Sequence, residues 1–232
     1  MTANMHAFAN GAELAGKLAD KVVEALSAAI AARGSASIAV SGGSTPKVFF
    51  QTLSSRSLDW RKVTITLVDE RFVPEDNPRS NYLLVQENLL KDQAASAQFF
   101  PLYQDVASVE EAAVIATEKT KCIGFPFDVA ILGMGNDGHT ASFFPGGSNL
   151  AAALDAKSPR GIITMEAEGA GEPRLTFTLS SLQDARLLVL HIEGEGKKGV
   201  LAKAETPGEE TEMPIRAVLR RAASPVEIYW AP

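Results

Sequence analysis

Of the three histidines in this chain of 232 residues, His139 has the setting that proton chemistry would use. The stretch GMGNDGHTASFFPGG, Gly133 to Gly147, surrounds it with five glycines, one aspartate and two phenylalanines. Glycines allow tight turns and close approach of a substrate to the backbone. An imidazole titrates near neutral pH and can act as a general base. His6 is expected in a mobile tail, and His191, inside the apolar run LLVLHI, is expected to pack.

Two further loops carry reactive groups. SGGSTP, Ser41 to Pro46, supplies Gly42 and Gly43 for close backbone approach and Ser44 and Thr45 as hydroxyl donors. It leads into a helix, whose free N–H groups suit an anion such as phosphate. The same residues also suit an ordinary turn between a strand and a helix. The Gly-Lys-Ser/Thr ending of a nucleoside-triphosphate loop is missing. DERFVPEDNPRSN, from Asp69 to Asn81, places Asp69, Glu70 and Arg71 directly after an apolar run. Arg71 can grip a carboxylate or phosphate with two parallel hydrogen bonds. Asp69 and Arg71 are read as functional. Glu70 could as easily be structural, Ser80 reads as a helix cap, and Glu75 and Asp76 as exposed charges.

Several reaction classes lack their residues. There is no G-x-S-x-G nucleophile elbow, and no pair of histidines at metal-ligand spacing. GMGNDG matches the letters of a dinucleotide fingerprint, but it runs into HTASFFPGG instead of a helix followed by an acidic residue about 20 positions on.

The elements that must hold these loops alternate. An amphipathic helix precedes Gly34, a natural stop. SIAV reads as a strand, TPKVFFQTLSS as a helix, and VTITLVD, Val63 to Asp69, as the clearest strand. Helices follow at about Ser80 to Lys91 and in VASVEEAAVIATEKTK, then a strand in FDVAILG. RGIITMEA, RLTFTLS, RLLVLHIEG and VEIYW read as later strands, with a helix around Gly196 to Ala204. EAEGAGEPR and AETPGEETEMP are the segments expected to be flexible. The apolar strands point to a mostly parallel sheet with helices on both faces, an α/β doubly wound arrangement. No linker divides residues 1–232, so a single domain is expected. The three reactive loops each follow one of the three apolar strands. They would therefore meet beyond the carboxyl ends of the sheet, where open α/β sheets bind ligands.

Composition narrows the partners. The formal net charge of −6, with no basic run, argues against nucleic acid. No apolar run reaches membrane-spanning length, and the N-terminus lacks a signal-peptide pattern. The single cysteine, Cys122, excludes an internal disulfide. A cytoplasmic protein is expected, acting as a monomer or weak homo-oligomer.

Taken together, SGGSTP, DERFVP…SN, GMGNDGHTASFFPG, PRLTFTL and the terminal IYWAP resemble the 6-phosphogluconolactonases, in family order from Ser41 to Pro232. The resemblance implies a modified doubly wound (Rossmann-like) fold shared with amino-sugar-phosphate isomerases. It also implies hydrolysis of 6-phospho-D-glucono-1,5-lactone to 6-phosphogluconate in the oxidative pentose phosphate pathway, with neither metal nor organic cofactor. His139 would be the base, assisted by Asp137 or Asp69, and Arg71 would face the developing oxyanion. Gly42, Gly43, Ser44 and Thr45 would hold the phosphate with Lys197, or with Lys198 if the register shifts by one. Arg174 matches a family arginine and equally suits a strand-end ion pair. The related glucosamine-6-phosphate isomerase/deaminases carry a similar Asp-Gly-His loop but continue to FNEPG. Here Phe144 stands where they have glutamate, and a phenylalanine cannot transfer a proton. A non-catalytic sugar-phosphate sensor of related fold would need a DNA-binding segment, and residues 1–35 offer one long helix with no helix-turn-helix pair.

Overall fold

The computed structural model describes residues 3–232. In chain order the elements are β1 (Ala3–Ala7), α1 (Gly11–Arg33), β2 (Ala36–Val40), α2 (Lys47–Ser54), β3 (Val63–Leu67), β4 (Asp69–Arg71), α3 (Asn81–Asn88), β5 (Gln98–Phe100) and α4 (Val109–Thr120). They continue as β6 (Val129–Leu132), α5 (Leu150–Leu154), β7 (Ile162–Met165), β8 (Arg174–Phe177), α6 (Leu179–Leu182), β9 (Leu187–Glu193), α7 (Glu195–Glu205), α8 (Ile215–Arg221) and β10 (Val226–Ala231). Among the described residues no helix is long and apolar enough to cross a membrane.

Helix α1 forms where the apolar spacing places it. Leu14, Leu18, Val22, Leu26 and Ala29 recur every three to four residues and are buried along one face. Asn10 caps its start by accepting from the Glu13 N–H at 2.9 Å. Gly34 ends it in the left-handed region (φ 84°), donating its N–H to Ile30 O, a conformation that favours glycine. Helices α1 and α2 pack on each other, and α1 lies against β2 and β10.

Seven strands form one parallel sheet in the order β1-β10-β9-β6-β2-β3-β5. Its middle strands β6 and β2 are buried at every position, which accounts for their unbroken apolar sequences. The chain runs outward from β2 to β3 and β5, then returns to place β6 on the other side of β2. The crevice between β2 and β6 is thus the topological switch point, where ligands bind in such sheets. The loops after these two strands are SGGSTP and the histidine loop.

A second sheet, β4-β8-β7, is antiparallel, and corrects the reading of VTITLVD as one strand. Val68 is the branch point. Its N–H donates to Val40 O in the first sheet (2.8 Å), and its C=O accepts from Phe177 N in the second (3.1 Å). The strand carrying Asp69 and Arg71 therefore turns away from the parallel sheet and across its carboxyl edge, beside Arg174.

The tail expected around His6 is instead strand β1, paired in parallel with β10. His6 Nε2 lies 2.5 Å from Glu227 Oε2, and the Phe8 and Tyr229 rings stack with centroids 5.5 Å apart. Four of the five residues of this edge strand are exposed, so no buried face marks it, and its partner lies more than 220 residues away in sequence. Helix α8 and the short strand β5 also go unannounced in the sequence.

Candidate active site

The loops beyond β2, β4 and β6, together with Arg174 and the first turn of α7, enclose a cavity of about 410 Å³. Gly42, Gly43, Ser44, Thr45, Asp69, Arg71, His139, Arg174 and Lys197 all line it. Asp137 does not line the cavity but reaches it through His139.

SGGSTP is pinned at its start, where Ser41 N donates to Ile131 O (3.0 Å) and Ser41 Oγ accepts from Gly133 N (3.2 Å). A side chain at Gly42 would collide with the buried amide of Asn81, its Cβ 2.7 Å from Nδ2. Gly43 takes φ 96°, a backbone that glycine adopts freely. Helix α2, eight residues long, has no side-chain cap, and the cavity lining stops at Pro46, immediately before it.

Around Asp69–Arg71 the three side chains divide their work. Asp69 is buried and accepts from Ser142 Oγ at 2.6 Å, while its backbone carbonyl accepts from Asn81 Nδ2 at 2.8 Å. Arg71 donates through Nη1 to Arg79 O, and its buried Nε has no partner. The Arg71 side chain lines the cavity. Arg79 is held against Glu172, with Nη2 2.8 Å from Oε2.

Glu70 is structural. Fully buried, its carboxylate accepts from the N–H groups of Arg71 (2.7 Å), Asn81 (2.8 Å) and Tyr82 (2.8 Å) and from Ser80 Oγ (3.1 Å). It thereby ties β4 to the start of α3. Burial pushes its pKa up, with the four hydrogen bonds opposing. Because the folded state holds that proton more tightly, this group makes stability fall as pH rises from its ordinary value through the raised one. Glu70→Gln keeps the shape but turns an NH2 group toward donors. We expect a loss of about 1–3 kcal/mol, seen as a Tm drop of about 2–4 °C per kcal/mol; an unchanged Tm would contradict the structural role.

The histidine loop closes on itself. Gly135 N donates to His139 O at 2.8 Å, Thr140 Oγ1 to Gly133 O at 2.8 Å, and Gly138 turns at φ 81°. Ala141 sits at φ 50°, a left-handed conformation that costs a non-glycine residue about 1–2 kcal/mol. His139 Nδ1 lies 2.6 Å from Asp137 Oδ1, and the same oxygen accepts from His139 N at 3.1 Å. Burial raises the Asp137 pKa, but the hydrogen bonds from His139 and its charge outweigh this, and the net shift is downward. An ionised Asp137 makes Nδ1 the protonated nitrogen, leaving Nε2 with a lone pair. Of the two candidate aspartates, Asp137 touches the imidazole, and Asp69 is engaged by Ser142.

Phe144 packs on the imidazole, ring centroids 4.6 Å apart. The Arg174 guanidinium lies 5.5 Å from the centroid of the same phenyl ring. Arg174 is buried and donates to Ala170 O (2.6 Å) and Glu172 O (3.2 Å), so it bonds to loop carbonyls and not in the strand-end ion pair considered from sequence. Burial lowers its pKa, and Asp69 opposes that shift. The two lysines of α7 separate. Lys197 lines the cavity, and burial holds its pKa below the ordinary lysine value against an opposing pull from Asp137. Lys198 Nζ sits 3.9 Å from the centroid of the Trp230 ring.

His191 also lines the cavity, buried, with Nε2 3.1 Å from Glu193 Oε1 and its ring edge-on to Phe49. The packing expected of it is present, but the strand context conceals that β9 ends at the site. Ser142 carries no signal of its role in the sequence, because only the fold brings it to Asp69.

The family model described as glucosamine-6-phosphate isomerases/6-phosphogluconolactonase matches residues 9–230. A 6-phosphogluconolactonase of Rhizobium meliloti (strain 1021) is 69% identical over 232 residues, covering 100% of both chains. A solved 6-phosphogluconolactonase from Shewanella baltica OS155 superposes with a TM-score of 0.96 at 40% identity, covering 99% of this chain and 98% of that one. A monomeric glucosamine-6-phosphate deaminase reaches a TM-score of 0.80 at 16% identity, over 98% and 97% of the two chains. That last likeness is one of fold alone.

Proposed function

The chain belongs to the family of glucosamine-6-phosphate isomerases and 6-phosphogluconolactonases, and on that premise we propose that its hydrolytic base is His139. The reaction is hydrolysis of 6-phospho-D-glucono-1,5-lactone to 6-phospho-D-gluconate, a step of the oxidative pentose phosphate pathway. The observation that carries the proposal is the contact of Asp137, His139 and Phe144. A histidine oriented by a carboxylate faces the cavity, and the residue beside it has no proton to give.

A lactone is an activated ester, so the chemistry needs a base for water and a place for negative charge on the carbonyl oxygen. Nε2 of His139 takes a proton as the water oxygen bonds to C1. Asp137 holds the ring in the tautomer that leaves Nε2 free and stabilises the imidazolium that forms. The carbonyl oxygen, now an alkoxide, is met by Arg71, a cation that lines the same cavity as His139. When the alkoxide re-forms the carbonyl, the bond from C1 to the ring oxygen breaks, and the imidazolium returns its proton to that oxygen. General-base help of this kind supplies about 10²–10⁴-fold, or about 3–5.5 kcal/mol.

The 6-phosphate fits Gly42, Gly43, Ser44 and Thr45, with Lys197 lining the same cavity and the uncapped start of α2 following directly after the loop. Arg174 braces Phe144 and the wall beside Arg71. The reading takes residues 1–232 as one domain, which one continuous hydrophobic core supports. It carries with it a cytoplasmic setting, a sugar-phosphate lactone as the small-molecule partner, and a monomer or weak homo-oligomer.

Because the lactone also hydrolyses spontaneously, the test generates it in situ and subtracts the blank. Wild type should clear it far faster than the blank, and Lys197→Ala should raise KM about 10–100-fold with kcat little changed, the loss of one charge-assisted contact. Lys198→Ala raising KM instead would move the phosphate contact to that residue. Ammonia release from glucosamine 6-phosphate, with no lactonase activity, would move the chain to the isomerase branch.

A further inference from the structure

We propose that Arg216, a buried arginine outside the cavity, is a positioning residue that sets His139 relative to Lys197; the inference rests on the reading of His139 as the base. Arg216 lies in the first turn of α8 and is nearly inaccessible to solvent (6% exposed). Its guanidinium spends its donors on three backbone carbonyls and one carboxylate. Nε and Nη2 reach Ala204 O (3.4 Å) and Lys203 O (3.3 Å) in the last turn of α7, and Nη1 reaches Glu209 O (2.9 Å) and Glu212 Oε2 (3.5 Å). A cation at the carbonyl end of a helix is favourably placed. Here it binds that end to the segment AETPGEETEMP, expected from its composition to be flexible. Gly208 packs flat on the guanidinium, where an added Cβ would fall 2.5 Å from Cζ.

The same short stretch of chain grips the histidine loop. Arg216 N donates to Met213 O at 2.9 Å. Met213 lies against Gly138, close enough that a Cβ there would meet its Cε at 2.9 Å. Ile215 N donates to Gly138 O at 2.9 Å. Gly138 is the one residue between Asp137 and His139. Helix α7 ends on the Arg216 guanidinium and carries Lys197 in its first turns. One fork of donors therefore fixes the far end of the phosphate-side helix and the chain that backs the base. Neither link crosses the cavity, so Arg216 acts through other residues only.

The experiment measures kcat and KM for Arg216→Lys, Arg216→Met and Gly208→Ala, each in the wild-type and the Asp137→Asn backgrounds, with Tm determined for every variant. Lysine keeps the charge but cannot reach four acceptors, and Gly208→Ala keeps the guanidinium while displacing it. In the wild-type background kcat/KM should fall about 10–100-fold well below Tm, as expected for a base shifted by a fraction of an ångström to an ångström. In the Asp137→Asn background the same changes should cost less than about threefold, because the orientation they disturb is already lost. Losses that multiply in full across the two backgrounds would overturn the proposal. So would wild-type kcat/KM in both Arg216→Lys and Gly208→Ala. If Arg216→Met does not fold, Gly208→Ala, one methyl on an exposed loop, decides alone. A fully active His139→Ala would refute the base itself and is distinguishable from either outcome.

Discussion

His139→Ala should lower kcat about 10²–10⁴-fold while leaving KM within a few-fold of wild type. The range is what a positioned general base contributes to proton transfer. Binding is spared because the residues proposed to hold the phosphate, the loop after β2 and Lys197, are other parts of the cavity lining. The substitution also removes a ring that packs on Phe144, so a thermal melt must accompany the kinetics. The His139 side chain is partly exposed, and a shift of only a few degrees is expected. A kcat within tenfold of wild type, after subtraction of the spontaneous rate, would mean that another group activates the water.

The second large effect comes from a residue with no chemistry. Gly135→Ala should reduce kcat about 100-fold although His139 and Asp137 are both retained. A Cβ built at Gly135 falls 2.5 Å from Asp137 Oδ1 and closer still to His139 Nδ1. Real side chains do not approach so closely, so either the imidazole turns or the carboxylate leaves it. Either movement breaks the 2.6 Å contact that leaves Nε2 free to act as the base. The backbone at Gly135 is not in the left-handed region, so alanine introduces no strain of its own. The loss therefore reports on the His139–Asp137 geometry, and misplacement of about 1 Å is enough for a 100-fold effect. A Gly135→Ala enzyme within threefold of wild-type kcat would show that the pair tolerates a looser arrangement than the structure implies.

How far the site can be read in one dimension varies from loop to loop. The histidine loop is nearly complete in sequence because its hydrogen bonds are local, spanning two to seven residues. Glu70 could not be assigned, since its partners Ser80, Asn81 and Tyr82 are ten to twelve residues away and nothing in DERFVPEDNPRSN says the chain doubles back. Lys197 and Lys198 are indistinguishable by sequence. On a helix, neighbouring residues point about 100° apart, so only the docking of α7 sends one to the cavity and the other onto Trp230. The place of His6 is hidden for a related reason, because the strand that captures it lies at the opposite terminus.

By itself the sequence determined the alternation of helices and buried strands, the edge of the sheet where the reactive loops gather, and which of the three histidines is the candidate base. It also excluded the glutamate that an isomerase would need. These follow from local chemistry: side-chain hydropathy sets the elements, and residue type sets what each loop can do with a proton or an anion. Only the tertiary structure decided that Asp69 is taken by Ser142 and not by His139, which lysine faces the cavity, that Asp69–Arg71 leaves the parallel sheet for a second one, and that Arg216 bonds to the end of α7. Each of those depends on contacts between segments far apart in the chain, made when one hydrophobic core brings them together, and no short stretch of sequence contains both partners.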